Sequence, residues 1–224
     1  MGLPGRKTNG EGTGTPRRSR RTAAGELKRG LILEAARAVF ESEGLDGASL
    51  RAIAAKAGYT PAALYFHFES KEAIYAEVLQ ASMARLGAAM TRRAARAKSP
   101  AERLRAAAMG FFDFYQKNPR DLDLGFYLFR GGMKPRGLGA ERDRALNAAL
   151  AALLEPIALA AEELGAGRAE AERLMVECFA HAAGLLLLAH TGRIRMFGAS
   201  APRLMASYLD EKLERLGTGP AGPA

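Results

Sequence analysis

Few side chains in this chain could make or break bonds. Cys178 is the one cysteine, and His67, His181 and His190 are the three histidines. His181 and His190 lie nine positions apart, about half a turn out of phase on a helix, so they cannot share a ligand. Cys178 and His181, three apart, supply at most half of a tetrahedral metal site. The sequence has no Gly-rich phosphate loop, no HExxH and no paired-cysteine pattern. We therefore expect no enzyme, no metal and no cofactor. One cysteine also forms no internal disulfide, which suits a reducing cytoplasm.

Recognition groups, in contrast, crowd between residues 49 and 71. Ser49 caps a short helix over Leu50 to Ala57, which Gly58 ends. Thr60 with Pro61 behind it starts another helix running to about Phe68, and Ser70 caps a longer one from Lys71 to about Ala95. Ahead of these, Leu27, Leu31, Ile32, Ala35, Ala36, Val39 and Phe40 recur at helical spacing from about Gly25 to Glu43, with Gly44 as a left-handed stop. Three helices with the tight Gly58-Tyr59-Thr60 corner read as a helix-turn-helix, its small core made of Phe40, Ile53, Ala54 and Leu64. A reading helix presents its first residues to base edges. Thr60, Pro61, Ala62 and Ala63 offer methyls and one hydroxyl, which touch thymine methyls but make no bidentate pair. Arg51 is the candidate for a guanine, with a phosphate or solvent as its alternatives. Phe66 packs on a thymine methyl or on the neighbouring helix.

The stretch from Ile32 to Val78 resembles the TetR family of bacterial regulators. The matching pieces are Ala35-Ala36 with Phe40 and Gly44, Ser49 with Ile53-Ala54 and Ala57-Gly58, then Leu64-Tyr65-Phe66-His67-Phe68 with Ser70-Lys71-Glu72. They cover about a fifth of the chain. The remainder is similar to the family in length and helical content only. The resemblance implies that Ser49, Tyr65, His67 and Lys71 face DNA, the last three toward phosphates, where the dipole of the helix starting at Lys71 adds positive potential. It also implies a homodimer on a palindromic double-stranded operator, an effector-binding second domain, and repression as the usual mode.

The net charge of +9 suits a polyanionic partner. Residues 1–37 carry nine Lys/Arg against three acids, whereas the run at 92–105 reads as a solvated helix end. Residues 1–24, with hardly an apolar side chain, are expected to form a disordered basic arm. They lack the apolar core of a signal peptide, and the apolar stretch Ala182 to Ala189 is too short to cross a bilayer. The expectation is a cytoplasmic protein, nucleoid-associated when on its operator, with no membrane partner.

Ala, Leu, Arg and Glu dominate residues 26–216, which favours helix throughout. The fold class expected is all-α, with about nine helices. A helix-turn-helix domain at 25–70 precedes a helical effector-binding and dimerisation domain at 71–216 and a tail at 217–224. Ser99-Pro100-Ala101-Glu102 opens a helix to about Lys117, and Pro119 starts one that ends near Gly131-Gly132. Pro156 is expected to kink or divide a helix from about Ala140 to Leu164. Helices over 169–191 and 201–216 follow. Seven of the sixteen aromatics lie between Phe111 and Phe129. Phe111, Phe114, Tyr115, Phe126, Tyr127 and Phe129, with Met175 and Phe179, are the candidate lining for a small apolar or aromatic effector, an acyl-type molecule among the candidates; plain core filling is the alternative. Leu174, Cys178, His181, Leu185 and Leu188 with Leu204, Tyr208 and Leu213 are the candidate dimer face. The rival function is a DNA-binding protein of the same fold governed by a protein partner or a metal.

Overall fold

The computed structural model describes residues 16–125 and 137–217, with side chains from Gly25 onward. These residues form nine α-helices and a short 3-10 helix, without a strand. In chain order they are α1 (Pro16–Gly47), α2 (Leu50–Ala57), α3 (Pro61–His67), α4 (Lys71–Ala94), α5 (Pro100–Lys117), α6 (Pro119–Gly125), α7 (Ala140–Glu163), α8 (Arg168–His190), the 3-10 turn Arg193–Phe197, and α9 (Ala201–Gly217).

Capping residues set most of these limits. Ser49, Thr60, Ser70 and Ser99 each accept a backbone N–H three residues on, satisfying donors that a helix start leaves free. Glu102 completes the start of α5 by accepting the N–H of Lys98 at 2.6 Å. Gly44 interrupts α1 at φ 70°, ψ 178°, where the chain turns toward α2.

Two expectations are corrected. Helix begins at Pro16, not near Gly25, so 16–24 is not a disordered arm. Pro16 suits the first helical position, and the Arg- and Ala-rich residues after it extend a helix already anchored by packing. Residues 1–15 lie outside the described residues. Nor does Pro156 divide α7. Its ring is exposed, while Leu154, Ile157 and Ala158 beside it are buried and hold the helix on both sides.

Two apolar cores result. The first gathers Ile32, Phe40, Ile53, Leu64, Ile74 and Tyr75 from α1 to α4 and extends to Leu124, Leu138 and Leu146. The second packs α5, α7, α8 and α9 around Phe112, Ile157 and Leu186, and takes in Leu86 and Met90 from the far half of α4. The single helix α4 therefore belongs to both cores, and no packing boundary falls at residue 70. Helices α7 and α8 each hold an 18-residue window of mean hydropathy 1.4 and 1.3, enough by composition to cross a membrane. The sequence argument from shortness thus does not hold for them; here Leu146, Leu154 and Ile157 of α7 and Leu174, Leu185 and Leu186 of α8 pack into the cores, while Leu159 and Leu187 stay exposed.

On α8, the His181 ring stacks on Tyr208 of α9 with centroids 4.0 Å apart. Its Nε2 is buried and has no hydrogen-bond partner among the described residues. Burial holds the imidazole pKa below its ordinary value, against a smaller opposing pull from the Leu204 backbone. The folded state therefore favours neutral His181, while an unfolded chain protonates it near about 6.5. The contribution is present above that pH and falls away as pH drops below it. His181→Phe, which keeps the stack, should lose less urea stability than the wild type between pH 7 and pH 5. Equal losses would contradict this reading.

Candidate nucleic-acid interface

Helices α2 and α3 meet at a corner in which Gly58 takes φ 73°, ψ 27°, and the N–H of Tyr59 reaches the carbonyl of Ala54 at 2.9 Å. Thr60 Oγ1 accepts from Ala63 at 3.3 Å, with Pro61 at the first helical position. Leu64, fully buried, and Phe68 anchor α3 to the core. The opposite side of α3 is free: Thr60, Pro61 and Ala62 are exposed, Tyr65 is 61% exposed and Phe66 87%. Those two values exclude a core role for either ring. Arg51 is exposed on α2, whereas Ala63 and His67 are half-buried. Ser49 is exposed, but its hydroxyl is engaged in capping Ala52 at 3.1 Å.

Lys71 departs from expectation. Its ammonium donates to the carbonyls of Leu45 at 2.8 Å, Asp46 at 3.3 Å and Ala48 at 3.1 Å. All three N–H donors are spent on the turn between α1 and α2, where a helix end leaves carbonyls unpaired. Lys71 thus positions the reading unit and does not reach outward to a phosphate. Arg29 does similar work on the other side. It pairs with Glu77 of α4, donates to the His67 carbonyl at 3.2 Å, and lies 4.3 Å over the Phe68 ring.

A second junction joins the reading unit to the rest of the chain. Asp121 of α6, 2% exposed, accepts Ser82 Oγ at 2.6 Å, Arg37 Nη2 at 3.1 Å and a bond from Arg85. Beside it, the Tyr75 hydroxyl donates to the Leu124 carbonyl at 2.8 Å, and its ring meets Phe40 edge-on at 4.7 Å. Sequence reasoning singled out none of Arg29, Arg37, Arg85 or Asp121, whose partners lie dozens of residues away.

The effector candidates divide. Phe111 and Tyr115 are buried and pack edge-on at 4.9 Å, and Phe111 meets Phe179 at 5.6 Å, with Met175 against the same core. Burial lifts the Tyr115 hydroxyl to about 12, with the charge of Asp121 adding to the rise. These side chains fill core. Phe114 differs, because it lines an open groove of about 950 Å³ between α4 and α5. Phe126, Tyr127 and Phe129 lie outside the described residues.

The candidate dimer face also needs correction. Leu174, Cys178 and Leu185 are buried within the chain's own core, which raises the Cys178 thiol to about 12. Leu188, His181, Tyr208 and Leu213 are partly buried against it. Helix α8 is apolar on two sides, and the Leu-rich one turned inward. The side left open carries Val176 and Leu187, 57% and 58% exposed, with Ala180 and Gly184 at helical spacing between them; Leu204 of α9 is exposed as well.

Residues 32–78 match the bacterial regulatory proteins of the TetR family. The HTH-type transcriptional activator FasR of Mycolicibacterium smegmatis is 35% identical over 99 residues, which are 44% of this chain and 45% of FasR. The match thus spans under half of that relative's length. A protein of unknown function from Rhodococcus sp. RHA1 superposes with a TM-score of 0.68 at 24% identity, over 85% of this chain and 96% of that one. The regulator FadR of Bacillus subtilis, solved in complex with stearoyl-CoA, gives a TM-score of 0.61 at 16% identity, over 84% and 97%. At these identities the two structures share the fold.

The geometry separates positioning from surface residues. Lys71→Met should lower unfolding stability by about 1–3 kcal/mol, since three carbonyls lose a charged donor. Tyr65→Ala and Phe66→Ala, at exposed positions, should stay within about 0.5 kcal/mol of wild type. Denaturant midpoints check both, and a Lys71→Met chain as stable as the wild type would refute the capping role.

Proposed function

We propose that the chain is a DNA-binding transcriptional regulator of the TetR family, a reading supported by the match of residues 32–78 to the regulatory proteins of that family. In this reading it binds a palindromic operator as a homodimer in the bacterial cytoplasm and releases it on meeting a small effector. The observation that carries the reading is the outer side of α3. Thr60, Pro61, Ala62, Tyr65 and Phe66 stand free there on a helix whose inner side is locked by Leu64 and Phe68. A bulky ring exposed as fully as Phe66 at the tip of a reading helix suits a thymine methyl, and the Tyr65 hydroxyl suits a phosphate. Arg51 and half-buried His67 flank this surface.

The second copy is assigned to the α8 stripe of Val176, Ala180, Gly184 and Leu187. A two-fold axis along this stripe lets two small residues bring the helices close and, with α9, builds a four-helix bundle. Repression follows from a dimer that covers a promoter. FasR is named an activator, and the position of the operator relative to the promoter distinguishes the two modes. The effector proposed is an apolar, acyl-type molecule. The Bacillus subtilis FadR structure holding stearoyl-CoA and a Clostridium perfringens relative described as a fatty acid metabolism regulator support that class.

Selection of sites from a random duplex library tests this reading. The full chain should enrich a palindrome and bind it at least about a thousandfold more tightly than unrelated DNA. Tyr65→Ala should weaken binding to every duplex, and Val176→Glu should yield monomers that bind the palindrome poorly. Enrichment of no sequence by a folded dimer would refute the proposal.

A further inference from the structure

The groove between α4 and α5 is more than a gap between helices. Arg85, Arg92, Arg93, Arg96, Arg105 and Lys117 line it, against only Glu102 and Asp113. Arg93 is paired with Asp113, and Arg105 with Asp210 of α9. Arg92, Arg96 and Lys117 form no ion pair among the described residues. Glu102 is engaged at the helix start with the Lys98 N–H. Like charges gathered along one cleft repel one another and raise the local concentration of anions.

The floor is apolar and small. Ala88 and Ala89 of α4 face Ala106 and Gly110 of α5, and Phe114 stands half-buried at one end. Gly110 lets the two helices approach closely, since a Cβ there would sit 3.2 Å from Met90 Cγ and the methionine would have to give way. The result is a trough of about 950 Å³ with a cationic rim, small residues beneath it and an aromatic ring at its end. That volume fits a ligand of nucleotide size. The groove lies along the far half of α4 from the helix-turn-helix corner. At 1.5 Å per residue, the groove begins roughly 20 Å along α4 from Lys71 and runs to the end of that helix, roughly 35 Å away.

One rim residue faces both ways. Arg85, with 44% of its side chain exposed, lines the groove and at the same time bonds the buried carboxylate of Asp121. Asp121 in turn holds Arg37 of α1, the helix that frames the reading unit.

We propose that the α4–α5 groove binds a ligand with clustered phosphate charge, of the nucleoside diphosphate class, and that Arg85 relays its arrival to Asp121. The diphosphate lies along the rim arginines in charge-assisted, bidentate contacts, and the base rests against Phe114. An arginine drawn toward the diphosphate leaves Asp121 with Ser82 and Arg37 alone, which loosens α6 from α4. The relay deepens the proposed function and rests on it; binding in the groove does not.

Calorimetric titration of the full chain with ADP and with inorganic pyrophosphate tests the site. Both should bind, and Arg92→Ala/Arg96→Ala should weaken each at least tenfold. Arg168→Ala/Arg173→Ala, which removes equal charge from exposed α8 positions away from the groove, should leave affinity unchanged. In the same samples ADP should weaken operator binding by the wild type and fail to do so with Arg85→Gln. The site is overturned by absence of binding to the wild type, or by equal weakening in both double variants. Loss of DNA affinity in Arg92→Ala/Arg96→Ala without any ADP binding would make the groove a DNA surface and also overturn it. A chain that binds ADP in the groove but no DNA would uphold the site and reject the regulator reading.

Discussion

The carboxylate of Asp121 is the point on which the two halves of this chain are hung. A buried ion costs several kcal/mol of lost hydration and persists only with partners around it. Here the partners come from two other helices: Arg37 from α1, Ser82 and Arg85 from α4. Arg37 is itself steadied by Glu41 at 2.9 Å, which also receives Arg120 of α6 at 3.2 Å. Apolar packing tolerates small slides between helices, whereas these directional bonds to one carboxylate do not. The position of α6 relative to the reading unit is therefore specified by charge as well as by volume.

Helix α4 turns that fixed point into a connection. Its first turns carry Ile74, Tyr75 and Val78 into the core of the reading unit, and its later turns carry Leu86 and Met90 into the second core. A rigid helix shared by two cores transmits displacement from one to the other, the kind of element whose two arrangements a ligand can bias. Lys71 and Arg29 tie its start to α1, α2 and α3. Small rotations of α4 thus change where α3 points. In a dimer this sets whether two reading helices match successive major grooves.

Much of the fold was legible in the sequence, because its signals are local. The caps at Ser49, Thr60, Ser70 and Ser99 and the stop at Gly58 mark helix limits within a few residues. The all-α class and the helix-turn-helix followed from them. What stayed hidden is long-range. Asp121 sits in a short helix without periodicity, and nothing near it in sequence announces Arg37 or Ser82. Resemblance located Lys71 in the chain but not the direction of its side chain, which the unpaired carbonyls of the α1–α2 turn decide. On α8 both sides read as apolar, so only packing could choose between Leu174 and Val176 as the outer one. The basic run at 92–105 read as a solvated end, because a linear pattern does not show that the end of α4 and the start of α5 line the same groove.

The most direct test of the central claim is scanning calorimetry of Asp121→Asn, which keeps the shape and removes the charge. With Arg37 and Arg85 left without their carboxylate, the account predicts a loss of about 3–5 kcal/mol. It also predicts that one cooperative transition splits into two, the reading unit melting first. A single transition at the wild-type temperature would show that the two cores are joined without Asp121, and would contradict the account.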